Sequence, residues 1–140
     1  MALSKQKTFS LTYQVASLHG TRKDLIAFLM DAALPVDVVS QIELAAYEAL
    51  VNIIEHNPHP RAGAKISMRC TIAPARITLT IANTGVHFDP TTAPMPDLAE
   101  HFKKGRRRGL GIYIIRTLMD TMEYSFAKGV NRLRMVKRIA

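Results

Sequence analysis

Two short segments, residues 65–72 and 76–81, alternate apolar and polar side chains, with Pro74 and Ala75 between them. Alternation of period two gives a strand one apolar face and one wet face, and so short a turn joins neighbours that run in opposite directions. A sheet built on this pair has one face to bury. The rest of the chain has to supply the cover.

Helical patterning supplies it. Thr21, with Asp24 three positions on, makes a capping-box-like start for a helix carrying Leu25, Ile26, Leu29 and Ala32, which Pro35 ends. A second helix is expected over residues 36–57, stopped by Pro58 and Pro60. At about 100° per residue, its Ile42, Ala46, Ala49, Leu50, Ile53 and Ile54 fall on one broad arc. Before these helices, residues 8–17 place Phe9, Leu11, Tyr13 and Val15 in alternation, which predicts a first strand. Periodicity vanishes over residues 83–109, a connection long enough to be functional. It returns as a helix from Leu110, with Ile114, Ile115, Leu118 and Met119. The chain closes on a hairpin of residues 124–127 and 133–139 around Lys128-Gly129. This order predicts an α+β two-layer sandwich: a mixed, mostly antiparallel sheet with its helices on one face, in a single domain over residues 1–140.

Composition narrows the class. With 48% hydrophobic and 21% charged residues, the chain suits a soluble globule. No apolar run, residues 112–115 included, comes near the ~18 residues of a membrane span. No export or anchoring signal is visible, so a cytoplasmic protein without membrane attachment is expected. The lone Cys70 alternates with Ile66, Met68 and Ile72 and is expected in the core. The net charge of +8 is concentrated: KKGRRR, residues 103–108, holds five of the 19 basic residues, and Arg132, Arg134, Lys137 and Arg138 crowd the C-terminus. Such runs form a solvated face or meet an anionic partner. Direct nucleic-acid binding is not expected, since the chain lacks Trp and no aromatic residue interleaves with KKGRRR.

Three polar constellations carry candidate chemistry. Glu48, Asn52 and His56 lie four apart on the second helix and drift by only about 40° per step. They form either a solvent-facing edge or a general base beside a hard-metal ligand, with His56 able to cap the helix end. Gly109, Leu110 and Gly111 open the last helix, as a tight helix start or as a close approach of backbone amides to phosphate. Asn83 and Gly85 stand just past a strand, as an Asn-Thr-Gly turn or as a site for a flat ring.

Taken in order, the Glu-x-x-x-Asn helix, the Asn-x-Gly strand end, the long loop and the Gly-Leu-Gly helix resemble the nucleotide-binding fold shared by gyrase, a heat-shock chaperone, histidine kinases and MutL. Within that superfamily, GLGIYIIRTLMDTMEYSFAKGVNRLRMVKR is most similar to the bacterial anti-sigma factor serine/threonine kinases. The resemblance implies a Bergerat-type ATP-binding fold that uses ATP and Mg²⁺. It implies Glu48 as the base, Asn52 as the Mg²⁺ ligand, Gly85 under the adenine, residues 94–108 as the lid, and Gly109 and Gly111 as amide donors to phosphate. His56, Gly105 and Leu110 are expected beside the nucleotide. Arg107 or Arg108 is a hypothesis for neutralising charge on the γ-phosphate. Two positions depart from the family. Asn83 stands where an Asp usually accepts from the adenine amino group, and His87 stands where a second glycine is usual, with either a narrowed pocket or another backbone angle expected. The implied partners are a sigma factor and an STAS-type anti-sigma antagonist, the implied assembly is a homodimer, and the alternative is a catalytically weak or inactive module acting by sequestration.

Overall fold

The computed structural model describes residues 4–92 and 110–139. Its elements run β1 (Lys5–Leu11), α1 (Ala16–Asp31), α2 (Val36–His56), β2 (Ile66–Ile72), β3 (Arg76–Thr84), a single 3-10 turn (Pro90–Thr92), α3 (Gly111–Leu118), β4 (Thr121–Ala127) and β5 (Val130–Arg138). The strands form one five-stranded sheet in the order β1-β2-β3-β5-β4. All four pairings are antiparallel, so the expected parallel component of the sheet is not found among the described residues. The two-layer α+β architecture stands.

Alternation decides which face is covered. Ile66, Met68, Cys70, Ile77, Leu79 and Ile81 point to one side and are buried. Against them pack Leu18, Leu25 and Leu29 of α1, Ile42, Ala45, Ala46, Ala49 and Leu50 of α2, and Ile115 of α3. Cys70 lies in this core, and burial pushes its thiol up to about 12, which leaves it inert at neutral pH. The Arg22 guanidinium ties α1 to α2 through Glu43 and lies 4.4 Å from the Tyr47 ring centroid. The final hairpin turns on Lys128 and Gly129, both at positive φ, the conformation of a two-residue type I′ connection. No described helix is long and apolar enough to cross a membrane.

The first strand and helix differ from expectation. β1 ends at Leu11 because its partner β2 begins at Ile66, directly opposite, and beyond that pair no strand edge remains to extend it. Tyr13 continues the alternation inward, but its hydroxyl donates to Thr84 O (2.9 Å) instead of joining a ladder. Val15 is 54% exposed and α1 already begins at Ala16. The helix start is held by Ser17, whose hydroxyl donates to Gln14 O (2.7 Å). Thr21 is therefore inside the helix, with its hydroxyl on Ser17 O one turn back, and caps nothing.

Candidate functional site

Helix α2 has two faces: Ile42, Ala46, Ala49 and Leu50 are buried in the core, while Glu48, Asn52 and His56 lie along its edge facing α3. Between the helices is a cleft of about 380 Å³, lined by Glu48, Asn52, Glu55, His56, Leu110 and Gly111 among others. Gly111 is glycine for a steric reason, since a Cβ there would lie 2.9 Å from Glu48 Oε2. The first residue of α3 thus meets the carboxylate directly. Burial, reinforced by the Glu55 charge, raises the pKa of Glu48 and makes it a better base than a free carboxylate. Among the described residues no side chain caps α3, so its first-turn amides lie at the mouth of the cleft, where an anion would be favoured.

A second cavity adjoins the cleft and shares Asn52 with it. Asn83 of β3 and Asn131 of β5 are cross-strand partners, 5% and 6% exposed, on the covered face of the sheet. Ala49, Ile53, Ile81, Ile115 and Leu133 make the apolar walls, and Phe88, Pro90 and Tyr124 close the space to about 30 Å³. That holds a water or two. Asn83 has no side-chain hydrogen bond to any described residue and lines this pocket, so its amide is the group left to recognise something there.

Two asparagines hold the loop that closes the pocket. Asn57 donates from Nδ2 to Ile53 O (2.8 Å) and accepts from Val86 N at Oδ1 (2.8 Å). Asn131 donates to Val86 O (3.1 Å) and accepts from Phe88 N (3.4 Å) and from the Tyr124 hydroxyl. Asp89 Oδ1 accepts from Thr91 N (2.8 Å) and caps the 3-10 turn, and Arg116 of α3 donates to Thr91 O. The loop presents Phe88 to His56, whose ring stacks on it at 3.9 Å and 21° while Nδ1–H donates to Asn52 O (2.7 Å). This pair of rings is the partition between cleft and pocket.

The structure brings Glu48, Asn52, His56, Leu110 and Gly111 into one cleft and sets Asn83 in the adjoining pocket. It does not bring Gly85 or His87 there. Gly85 lies against both Asn57 and Asn83, since a Cβ there would be 2.4 Å from Asn57 Oδ1 and 2.9 Å from Asn83 Nδ2, so the glycine makes room for the loop clamp and for the Asn83 amide. His87 is exposed, with its ring 4.4 Å from that of Phe126, and narrows nothing. Arg107, Arg108, Gly105, Gly109 and the lid of residues 94–108 lie outside the described residues. Sequence reasoning missed Asn57, Phe88 and Asn131. Only Asn131 left a signal, a polar side chain in phase with the apolar Leu133 and Met135.

The site fits ATP and Mg²⁺ in part. The cleft offers amides, the carboxylates of Glu48 and Glu55, and the Asn52 side-chain oxygen. Among the described residues no three His, Cys, Asp or Glu side chains form a metal cluster, so Mg²⁺ would depend on phosphate oxygens and water, as it commonly does. The pocket accepts a purine only if Phe88 or Pro90 moves.

The profile of the histidine kinase-like ATPase domain matches residues 11–137. A serine/threonine-protein kinase, BtrW, of Bordetella bronchiseptica is 31% identical over 99 residues, covering 71% of this chain and 70% of its own. An anti-sigma F factor of Clostridium beijerinckii is 24% identical over 117 residues, 84% and 82% of the two chains. The serine-protein kinase RsbW of Listeria monocytogenes is 24% identical over 114 residues, 79% and 73%. Two solved structures share the fold: the SiaB-SiaC complex of Pseudomonas aeruginosa (TM-score 0.66, 12% identity, 95% of this chain and 89% of that one) and the RsbU and RsbW domains of a Mycobacterium tuberculosis protein (TM-score 0.64, 11% identity). Of the latter this chain covers 32%, against 96% of its own length.

Proposed function

Because the chain belongs to the histidine kinase-like ATPase domain family and is closely related to the anti-sigma factor kinases, we propose that it is an anti-sigma regulatory factor that transfers phosphate from ATP to a serine or threonine of an antagonist protein. The observation that carries this reading is the meeting of Glu48, Asn52 and Gly111 across one cleft at an uncapped helix start. In the proposed reaction Glu48 takes the proton from the attacking hydroxyl as its oxygen bonds to the γ-phosphorus, the bond from that phosphorus to the bridging oxygen breaks, and ADP leaves. The amides at Gly109, Leu110 and Gly111 hold phosphate oxygens, and Asn52 would hold Mg²⁺, which would supply charge neutralisation there. Asn83 accepts from the adenine amino group, and Arg107 or Arg108 supplies further positive charge. The proposed partners are a sigma factor and an STAS-type antagonist, in a cytoplasmic setting, with a homodimer formed through β1 and α1.

Calorimetric titration with Mg-ATP tests the site. Saturable binding that weakens about tenfold or more in Asn52→Ala supports it, a loss of the size expected for a charge-assisted contact. One observation favours a second reading, a catalytically weak module acting by sequestration: the pocket at Asn83 is filled by the chain's own Phe88 and Pro90. Absence of heat at millimolar Mg-ATP selects that reading.

A further inference from the structure

Charge is divided between the two layers. Helices α1 and α2 carry six acidic residues against Arg22 and Lys23, whereas the five strands carry eight basic residues against Glu123 alone. Lys137 points to the covered side, where its ammonium donates to Leu118 O (2.8 Å) at the end of α3. The arginines turn the other way. The register sets Thr8, Arg69, Thr80, Arg134 and Glu123 side by side across the sheet, and Ser10, Ser67, Ala82, Arg132 and Ser125 in the next row.

At the far end of the same face Arg76 and Arg138 are direct cross-strand partners, a like-charge pairing that disfavours the sheet unless an anion answers it. The nearby Asp120 directs Oδ2 to the Arg138 backbone amide (2.6 Å), and the Arg134–Glu123 pair is loose at 3.9 Å between exposed side chains. Arg69, Arg76, Arg132 and Arg138 have no carboxylate partner among the described residues.

We propose that this open sheet face is a docking surface for the acidic face of a helix on a partner protein. A sheet with one face covered has room for a further layer, and the layer complementary to arginines and hydroxyls presents carboxylates. Carboxylates at i and i+4 of a helix lie about 6 Å apart, and Arg132 and Arg134 along their strand are about 7 Å apart. The face lacks the aromatic side chains that stack on single-stranded nucleic acid, because Phe9, Tyr124 and Phe126 belong to the opposite side. It also has little apolar area beyond Ala82, so the contact is polar, reversible and weakened by salt. A second copy offers acidic helices too, but sheet-on-helix docking between copies is head-to-tail and builds rings or filaments larger than a two-fold dimer.

The test maps amide shifts in the labelled protein at low salt on addition of a stapled helical peptide of Ala with Glu at i and i+4, its Gln counterpart, and a DNA duplex. The proposal expects shifts on β2, β3 and β5 with the Glu peptide alone. The double variant Arg132→Glu, Arg134→Glu should weaken binding by at least about tenfold, while Lys23→Glu with Arg61→Glu, equal in charge, should weaken it by less than about threefold. Shifts confined to residues 103–108, equal losses in both variants, tighter binding of the duplex, no shift with millimolar Glu peptide, or growth in mass beyond a dimer by light scattering would each overturn it.

Discussion

The cleft beside Glu48 and the pocket beneath Asn83 share Asn52, yet one has room of about 380 Å³ and the other is narrowed by Phe88 and its neighbours to about 30 Å³. The cleft is preformed because backbone makes it: two helices meet where Gly111 has no side chain to fill the gap. The pocket is made of side chains on a loop, and side chains collapse into apolar space that nothing else occupies. On the proposed reading, the phosphate part of the site stands ready while the neighbouring ring part has to be opened, at the cost of the His56–Phe88 stack.

The largest effect that would sharpen this comparison belongs to the cleft. Glu48→Ala should lower phosphate transfer by about 10²- to 10⁴-fold, the usual range for a general base, with Mg-ATP binding by calorimetry largely kept. Equal loss of both would make Glu48 a binding group only. On the pocket side, Asn131→Ala strands Val86 O and Phe88 N and should cost about 1–3 kcal/mol in urea unfolding, with the loop after β3 freed. Next is Phe88→Ala, expected to tighten adenosine binding by about two- to tenfold, the worth of one ring stack. A weaker complex would show Phe88 to be a wall of the bound site and not its occupant.

The smallest effect concerns stability. Burial and Glu55 raise the Glu48 pKa in the folded state, so ionising Glu48 disfavours the fold. Below the unfolded pKa, about 4.3, the carboxyl is protonated in both states and Glu48→Gln should leave the melting temperature unchanged. As pH rises through the folded pKa, the wild type loses stability that the Gln variant keeps. A thermal scan at pH 7 should show the variant slightly higher, and equal curves at every pH would remove strain at Glu48 from the argument.

Local periodicity carried much of this into view. The bounds of α2 are Val36–His56 against the expected 36–57, and its four-residue polar spacing survived folding because helix geometry fixes it within a few residues of chain. The pair β2–β3 was equally plain, since a short turn leaves an alternating pair few other arrangements. The start of the chain was not. Tyr13 and Val15 kept the alternation of a strand, but strand length depends on a partner, and β2 supplies none beyond Ile66.

Likewise Gly85 is expected beside Asn83, which it meets, but the second side chain it makes room for, Asn57, is remote in sequence. What the sequence by itself determined is what short-range sterics and hydrophobic period determine: the elements, the sheet's one greasy face, and the row Glu48, Asn52, His56. Only the tertiary structure decided that Asn57 and Asn131 clamp one loop, that Phe88 occupies the pocket at Asn83, and that arginines from β2, β3 and β5 share a face. Those outcomes depend on strand register and on which side chain fills a cavity first, and both are settled between segments distant along the chain.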